Sequence, residues 1–190
     1  MSTTATGAPA RREQILATAA QLFAARGFHG VSVADLGAAC GISGPALYKH
    51  FPSKDAVLAE MLVAISEELL AVGREHVAAA EGPADAVRRL VGFHVDFALS
   101  RPALIVVQDR DWASLPDDAR ERVRGLQREY VELWAGQLRE VDGSLDVAAS
   151  RAAAHATFGL LNSTPHSARA PADRMRGLLR DMALRSLGVA

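Results

Sequence analysis

The feature that most constrains the fold is a short turn, Gly41-Ile42-Ser43, between two brief helical segments. A glycine at its first position can adopt the left-handed backbone conformation that a sharp turn between helices requires. The segment before the turn begins at Ser32, where Ser-Val-Ala-Asp has the form of a helix-capping box. The segment after it begins at Ser43, a favoured N-cap residue, and has Pro45 in its first turn. The sequence therefore predicts two short helices at a steep angle, the arrangement of a helix-turn-helix.

The rest of the chain carries helical periodicity. Apolar residues recur at steps of three and four in each long segment between Gly, Pro and Asp breaks. The run ALIVV in 103–107 is ambiguous, but no second strand candidate exists to pair with it, so it is interpreted as helical. The sequence thus predicts an all-α fold of about nine helices, without strands or internal repeats.

Three segments are predicted along the chain. Residues 1–10 are small and polar, and we expect a disordered tail. Residues 11–54 are expected to form the helix-turn-helix domain, and 55–190 a helical domain for ligand binding and dimerisation. Residues 1–54 hold five basic and two acidic side chains, whereas the remainder holds 16 basic and 20 acidic ones. A basic end on an acidic body favours phosphate contact at that end.

Composition argues against several classes of protein. The single cysteine, Cys40, excludes an internal disulfide framework and is expected in the core. No apolar run approaches the roughly 18–20 residues that span a bilayer, and the first residues lack a signal-peptide core, so we expect a cytoplasmic protein without a membrane partner. The chain shows no catalytic motif, metal-ligand spacing or phosphate-cradling glycine loop, so no enzyme, cofactor or metal site is predicted.

The second helix of the helix-turn-helix is expected to enter the major groove of DNA. Leu47 and Phe51 should face the core, which leaves the other side chains for DNA. Lys49 is the candidate for a guanine edge, and Ala46 could contact a thymine methyl. The pair Arg11-Arg12 is expected on a flexible arm that reaches flanking phosphates or a minor groove. The predicted DNA-binding residues are Arg11, Arg12, Ser32, Ser43, Gly44, Pro45, Ala46, Tyr48, Lys49, His50 and Lys54.

The stretch AAQLFAARGFHGVSVADLGAACGISGPALYKHFPSKDAVL resembles the TetR/AcrR family of bacterial transcriptional regulators. The matching positions are Phe23, Gly27, Ser32, Ile42-Ser43, Leu47-Tyr48, Phe51 and Ser53-Lys54. The recognition helix departs from many members by opening with Gly44-Pro45-Ala46, which leaves few groups to read bases. The resemblance implies a homodimer on double-stranded, palindromic operator DNA, with half-site centres roughly 34–36 Å or a multiple apart. It also implies repression that a small-molecule effector relieves, although the sequence itself does not distinguish repressor from activator.

The resemblance assigns dimerisation to the two final long helices, 146–162 and 172–187. In this family these helices pack against the same two helices of the second subunit and form a four-helix bundle. Ala148, Ala152 and Ala156, together with Gly159, would permit close approach of the first of them.

An effector pocket is expected between the fifth, sixth, seventh and eighth helices. His94 lies on an apolar stripe, and His155 and Asn162 share one helix face, where each could bind a ligand or be satisfied in the core. The aromatic candidates could equally be core residues. The predicted ligand-binding residues are His94, Gln108, Trp112, Tyr130, Trp134, His155, Phe158 and Asn162.

Three arginines, Arg120, Arg124 and Arg128, share one face of the seventh helix. They could receive the phosphates of an acyl-CoA thioester, or they could form a solvated face paired with nearby acids. A weaker resemblance, over 102–130 and 161–165, to regulators of lipid and acyl-CoA breakdown favours an acyl-CoA or another apolar effector. The alternative interpretation of the whole chain is a helical ligand-binding or scaffold protein without a DNA role.

Overall fold

The protein is described by a computed structural model over residues 7–189, with side chains from Ala10 onward. Within these residues there are ten α-helices, one short 3-10 helix and no strand, so the all-α prediction is confirmed. The additional helix is the four-residue α9, in a segment predicted as loop. The helices are α1 (Gly7–Arg26), α2 (Val33–Ala39), α3 (Gly44–Leu47), α4 (Lys54–Ala78), α5 (Pro83–Ser100), α6 (Pro102–Asp111), the 3-10 helix (Trp112–Ser114), α7 (Asp117–Val141), α8 (Val147–Leu161), α9 (Thr164–Ser167) and α10 (Ala172–Ser186).

The first of two compact units comprises residues up to Ala64 together with Ala103–Arg122. In this unit α2 packs against both α1 and α3. Its core consists of fully or nearly fully buried apolar side chains contributed by several helices, since each helix alone presents only one apolar stripe. Core residues here include Ile15, Phe23, Leu36, Leu47, Phe51 and Leu58.

The second unit comprises Ile65–Pro102 and the residues from Val123 onward. Here α5, α8 and α10 pack against one another. The core includes Leu90, Val91, Val95, Trp134, Leu138 and Leu161. The division differs from the predicted boundary after residue 54, because 103–122 belong to the first unit. Periodicity identifies the buried face of a helix but not the helices that cover it. The sequence therefore could not show that residues 103–122 pack with the first unit.

Helix α1 begins at Gly7, inside the segment that was predicted as a disordered tail. The prediction is therefore wrong for 7–10, whereas 1–6 lie outside the described residues. Composition suggested disorder because small polar residues bury little surface. It could not show that the next turn of the helix, Arg11-Arg12, is bonded to distant parts of the first unit.

Helix α6 resolves the ambiguity of the apolar run in 103–107 in favour of a helix, as predicted. No single helix in the described chain is long and apolar enough to cross a membrane. One bent pair, Pro83–Ser100 with Pro102–Ser114, passes that test by length and composition alone. Eight of the 18 residues of α5 are buried and only three are exposed, as expected for a helix that packs against a protein core.

Candidate functional site

The start of α2 is held by the predicted capping box. The backbone N–H of Asp35 donates to Ser32 Oγ at 3.1 Å, and the backbone N–H of Ser32 donates to Asp35 Oδ2 at 2.8 Å. The Ser32 hydroxyl also donates to Asp35 Oδ2, at 2.6 Å. These bonds, followed by the charge of Arg26 at 3.3 Å, lower the pKa of Asp35. The polar atoms of Ser32 are thus used inside the cap, and its contact with DNA stays a prediction.

The turn of the helix-turn-helix has the predicted geometry. Gly41 has a φ of +66°, in the left-handed region that favours glycine. Ser43 caps α3 by accepting a hydrogen bond from the Ala46 backbone N–H at 3.3 Å. Leu47 and Phe51 are each only 1% exposed, which confirms that both face the core. Helix α3 is shorter than expected, because it ends at Leu47 and continues as turns through His50.

Gly37 is a structural requirement that the sequence interpretation missed. A Cβ atom placed there would lie 2.8 Å from the Ile42 carbonyl oxygen and 2.9 Å from the Gly44 nitrogen. These are backbone atoms of the turn, so they cannot move aside as a flexible side chain would. A glycine inside a short helix costs about 1 kcal/mol relative to alanine, and this cost was the available sign of a close backbone approach.

The outer side of the turn and recognition helix carries exposed polar groups. Tyr48 is 54% exposed, and Ser43, Pro45 and Lys49 are also exposed. Within the described residues, the side chains of Tyr48, Lys49 and His50 have no hydrogen-bond or ionic partner, whereas Gly44 and Ala46 are half-buried. This surface is available to phosphates and base edges.

Arg11 and Arg12 lie within α1, so the flexible-arm prediction is wrong for both residues. Arg11 donates to the carbonyl oxygen of Cys40 at 2.6 Å. Arg12 pairs with Glu60 of α4 and donates to the carbonyl oxygen of His50. The sequence shows the positive charges but not the acceptors that folding brings to them.

Lys54 is also engaged within the first unit. Its Nζ donates to the carbonyl oxygens of Phe28 and Val31, each at 2.8 Å, and lies 4.2 Å from the centroid of the Phe28 ring. The ammonium therefore ties the start of α4 to the loop between α1 and α2. Two of its three N–H donors are used in this way, which leaves Lys49 as the more available lysine for DNA.

Five of the eight predicted ligand-binding residues come together in the second unit. His94 is 3% exposed, with Nε2 3.0 Å from Asn162 Oδ1 and Nδ1 3.3 Å from the Tyr130 hydroxyl. Because the amide oxygen of Asn162 accepts, the hydrogen lies on Nε2 and Nδ1 accepts from Tyr130. Phe158 stacks on this pair, with ring centroids 5.0 Å from His94 and 5.5 Å from Tyr130. The edge of Trp134 completes the cluster, 5.0 Å from Phe158.

The buried polar–aromatic cluster, as we call His94, Tyr130, Trp134, Phe158 and Asn162, contains an unsatisfied donor. The indole N–H of Trp134 is buried and has no hydrogen-bond partner in the part of the chain that the structure describes. Burial raises the pKa of Tyr130, and the nearby indole N–H of Trp134 partly offsets this rise. The N–H nevertheless does not reach hydrogen-bond geometry with the Tyr130 hydroxyl. An unmade buried hydrogen bond costs about 1–3 kcal/mol, so an acceptor beside this group would be favoured.

The three other predicted ligand-binding residues do not belong to this cluster. Gln108 and Trp112 lie in the first unit, on α6 and the 3-10 helix. His155 is exposed on α8, although its ring contacts Phe158 edge-on at 6.5 Å between centroids. Helical spacing placed these residues on suitable faces, but it carried no information about which faces meet.

His155 belongs instead to an open groove of about 410 Å³ on the second unit, which we call the arginine groove. It is lined by Arg124, Gln127, Arg128, Val131, Glu132, Arg151 and His155. A second groove, which contains Arg74, shares three of these lining residues. Arg151 pairs with Glu132 at 2.5 Å, whereas Arg128 has no partner within the described residues.

Arg120, the third arginine of the predicted stripe, has a different role. It pairs with Asp117 at 3.0 Å and donates to the carbonyl oxygen of Leu115 at 2.6 Å. This guanidinium supports the start of α7, in agreement with the paired-face interpretation for this position.

Comparison with known proteins identifies the family. The model of the tetR family of bacterial regulatory proteins matches residues 15–61, and that of the tetracyclin repressor-like C-terminal domain matches 80–166. The chain belongs to the TetR family. The resemblance found in the sequence is confirmed, and with it a role in transcription regulation rather than catalysis.

Individual relatives support this assignment over most of the chain. The HTH-type transcriptional repressor KstR2 of Rhodococcus jostii (strain RHA1) is 32% identical over 133 residues, which span 70% of this chain and 65% of KstR2. A TetR-family transcriptional regulator from Bordetella parapertussis 12822 superposes with a TM-score of 0.83 and 25% identity, covering 93% of each chain. AibR in complex with isovaleryl coenzyme A and operator DNA has a TM-score of 0.69 over 90% of this chain and 97% of AibR. At 19% identity, AibR shows the fold alone.

Gly37→Ala is expected to destabilise this TetR-family protein by about 1–3 kcal/mol, because the added methyl overpacks against fixed backbone of the turn. The measurement is the free energy of unfolding in urea. Gly125→Ala in α7 is the matched control, since open space surrounds its Cβ position and alanine is the better helix former there. Equal stability of the Gly37→Ala variant and the wild type would contradict the close approach.

The variants Lys49→Ala and Lys54→Ala are expected to distinguish a lysine that is free to contact DNA from one that stabilises the fold. Lys49→Ala should weaken binding to duplex DNA and leave the melting temperature unchanged, because its side chain has no partner within the described residues. Lys54→Ala should lower stability by about 1–2 kcal/mol, since it removes two charge-assisted bonds to carbonyls. Fluorescence anisotropy with labelled DNA and thermal denaturation check both. Similar melting temperatures for the two variants would count against the structural role of Lys54.

Acidification is expected to destabilise the second unit, because His94 is buried there in its neutral form. Burial lowers the pKa of His94 to about 4 from 6.5, so the unfolded chain binds the proton more readily. The stabilising contribution is complete above pH 6.5 and is lost as the pH falls toward 4. Between pH 7 and pH 5 the loss is about 2 kcal/mol.

Urea denaturation of the wild type and of His94→Gln at both pH values measures this contribution. His94→Gln, which does not titrate, should lose correspondingly less stability on acidification. His166→Gln is the control, because His166 is exposed. An unchanged pH dependence in His94→Gln would show that His94 is not buried in its neutral form.

Proposed function

We propose that this TetR-family protein is a cytoplasmic homodimeric repressor that binds a palindromic operator and is released by a small-molecule effector. The observation that carries the proposal is the helix-turn-helix, whose outer side presents Tyr48, Lys49 and His50 without polar partners among the described residues. Such donors suit phosphates and base edges. The half-sites would be read by two copies, with their centres about 34–36 Å or a multiple apart.

The proposed dimer uses 146–162 and 172–187. Three of the large apolar side chains that are exposed lie on α8 and α10: Val147 at 48%, Leu178 at 50% and Met182 at 45%. The small residues Ala148, Ala152, Ala156 and Gly159 are also exposed on α8. A face of small and apolar side chains on two neighbouring helices favours burial against the same face of a second copy.

The proposed effector is an acyl-CoA thioester or a similar apolar molecule with an anionic head. The buried polar–aromatic cluster offers rings for an apolar chain and the free N–H of Trp134 for an acceptor such as a thioester carbonyl. The arginine groove offers Arg128 and Arg151 for phosphates. His155 lines the groove and contacts Phe158 of the cluster, so one ligand could engage both. The fold itself accommodates such a ligand, as the complex of AibR with isovaleryl coenzyme A shows for that protein.

Release from the operator is proposed to be a population shift between two dimer states. Helices α4 and α7 each contribute residues to both units. An effector that binds one state more tightly would favour the state in which the recognition helices no longer match the half-site spacing. The shift can be no larger than the difference in effector affinity between the two states.

Operator selection from random duplexes, followed by anisotropy titration at several salt concentrations, tests DNA binding. A palindromic site bound with strong salt dependence is expected. A helical ligand-binding or scaffold protein would instead show no salt-dependent preference for any duplex. A reporter gene behind the selected operator distinguishes repression from activation.

Thermal shift with a series of acyl-CoA thioesters, followed by displacement of labelled operator, tests the effector. A ligand specific for the folded state raises the melting temperature by mass action. Trp134→Phe keeps an aromatic side chain, although a smaller one, and removes the donor, so it should weaken thioester binding about tenfold and leave operator affinity unchanged. Operator release by free fatty acids but not by CoA thioesters would overturn the anionic-head part of the proposal.

A further inference from the structure

We infer that Arg12 is a positioning residue for the recognition segment, residues 43–51, and does not contact DNA itself. This inference rests on the proposed DNA binding. It assigns to Arg12 the task of fixing the C-terminal end of the recognition segment against α1 and α4.

The guanidinium of Arg12 has three partners on different parts of the first unit. It pairs with the Glu60 carboxylate of α4 through two nitrogens. It donates through its third nitrogen to the carbonyl oxygen of His50. It also lies over the ring of Phe51, 4.2 Å from the centroid. Arg12 therefore holds both the backbone and the next side chain at the end of the segment.

A recognition helix of four residues needs such support. One turn of helix is unstable alone, because its ordering cost is repaid by very few internal hydrogen bonds. The turn that follows α3 runs through His50, three residues beyond the last helical residue, Leu47. A planar cation that donates to the His50 carbonyl and pairs with a fixed carboxylate ties the end of this turn to α4.

The charge of Arg12 is compensated inside the protein. Its hydrogen bond with Glu60 raises the pKa of Arg12, which favours the charged form of the guanidinium. A phosphate approaching this guanidinium would have to compete with the Glu60 carboxylate and would be repelled by it. Lys49, which has no such neighbour within the described residues, is the contrasting case.

Operator and non-specific duplex affinities of Arg12→Gln, measured across a salt series at a temperature where the variant is folded, test the assignment. A positioning residue predicts a loss on the order of tenfold for the operator. Non-specific affinity and the salt slope should stay at wild-type values. A residue that binds phosphate predicts weaker binding to both duplexes and a shallower slope, by about 0.9 for each phosphate that is no longer neutralised. Lys49→Gln is the matched control, because it removes an exposed positive charge without an internal partner in the described residues and should make the salt slope shallower.

The Glu60→Gln variant should change DNA affinity in opposite directions, depending on whether Arg12 acts through Glu60 or binds a phosphate. If Arg12 acts through Glu60, this variant weakens operator binding as Arg12→Gln does, and the double variant adds little. If Arg12 binds phosphate, loss of the nearby carboxylate strengthens DNA binding, which would overturn the inference. A merely stabilising role would lower the melting temperature of both variants without changing the ratio of operator to non-specific affinity.

Hydrogen exchange in the DNA-free protein keeps the inference testable if no operator is found. Arg12→Gln should accelerate exchange of the amides from Lys49 to Phe51, and Lys49→Gln should not. Unchanged exchange in Arg12→Gln would overturn the positioning role. Failure of the wild type to select any operator, with the exchange result intact, would count against the proposed function instead.

Discussion

The first unit depends on one constraint: a recognition helix of only four residues cannot hold its own orientation. The surrounding structure supplies what α3 lacks. Ser43 caps its start, Leu47 and Phe51 anchor its inner side, and the absence of a side chain at Gly37 lets the turn lie directly against α2. The exposed side chains of Tyr48 and Lys49 have no polar partner within the described residues, so they are not needed to hold the helix.

The same constraint explains how the positive charge of this unit is divided. Arg11, Arg12 and Lys54 each donate to backbone carbonyls near the ends of short elements. These cations stabilise turns and loops that have few internal hydrogen bonds. Lys49 differs, because its exposed ammonium has no polar partner within the described residues. A basic segment is therefore not the same as a DNA-binding surface, since part of its charge serves the fold.

The second unit solves a different problem, the burial of polar groups. His94 is kept neutral by burial and is satisfied on both ring nitrogens, by Asn162 and Tyr130. Trp134 is the exception, because its N–H is buried beside this satisfied pair and has no acceptor within the described residues. Such an unpaired donor destabilises the cluster, and the proposed selectivity for a ligand that carries an acceptor depends on it.

The sequence by itself determined the helices, the turn and the family. These follow from local signals: the glycine at 41, the caps at Ser32 and Ser43, and three- and four-residue apolar spacing. The tertiary structure decided which helices share a core, the engagement of Arg12 and Lys54 in internal contacts, and the separation of Gln108 and Trp112 from the buried polar–aromatic cluster. Spacing fixes the face of a helix on which a residue lies. Only packing decides what that face meets, because the partners can be distant in the chain, as His94 and Asn162 are at 68 positions apart.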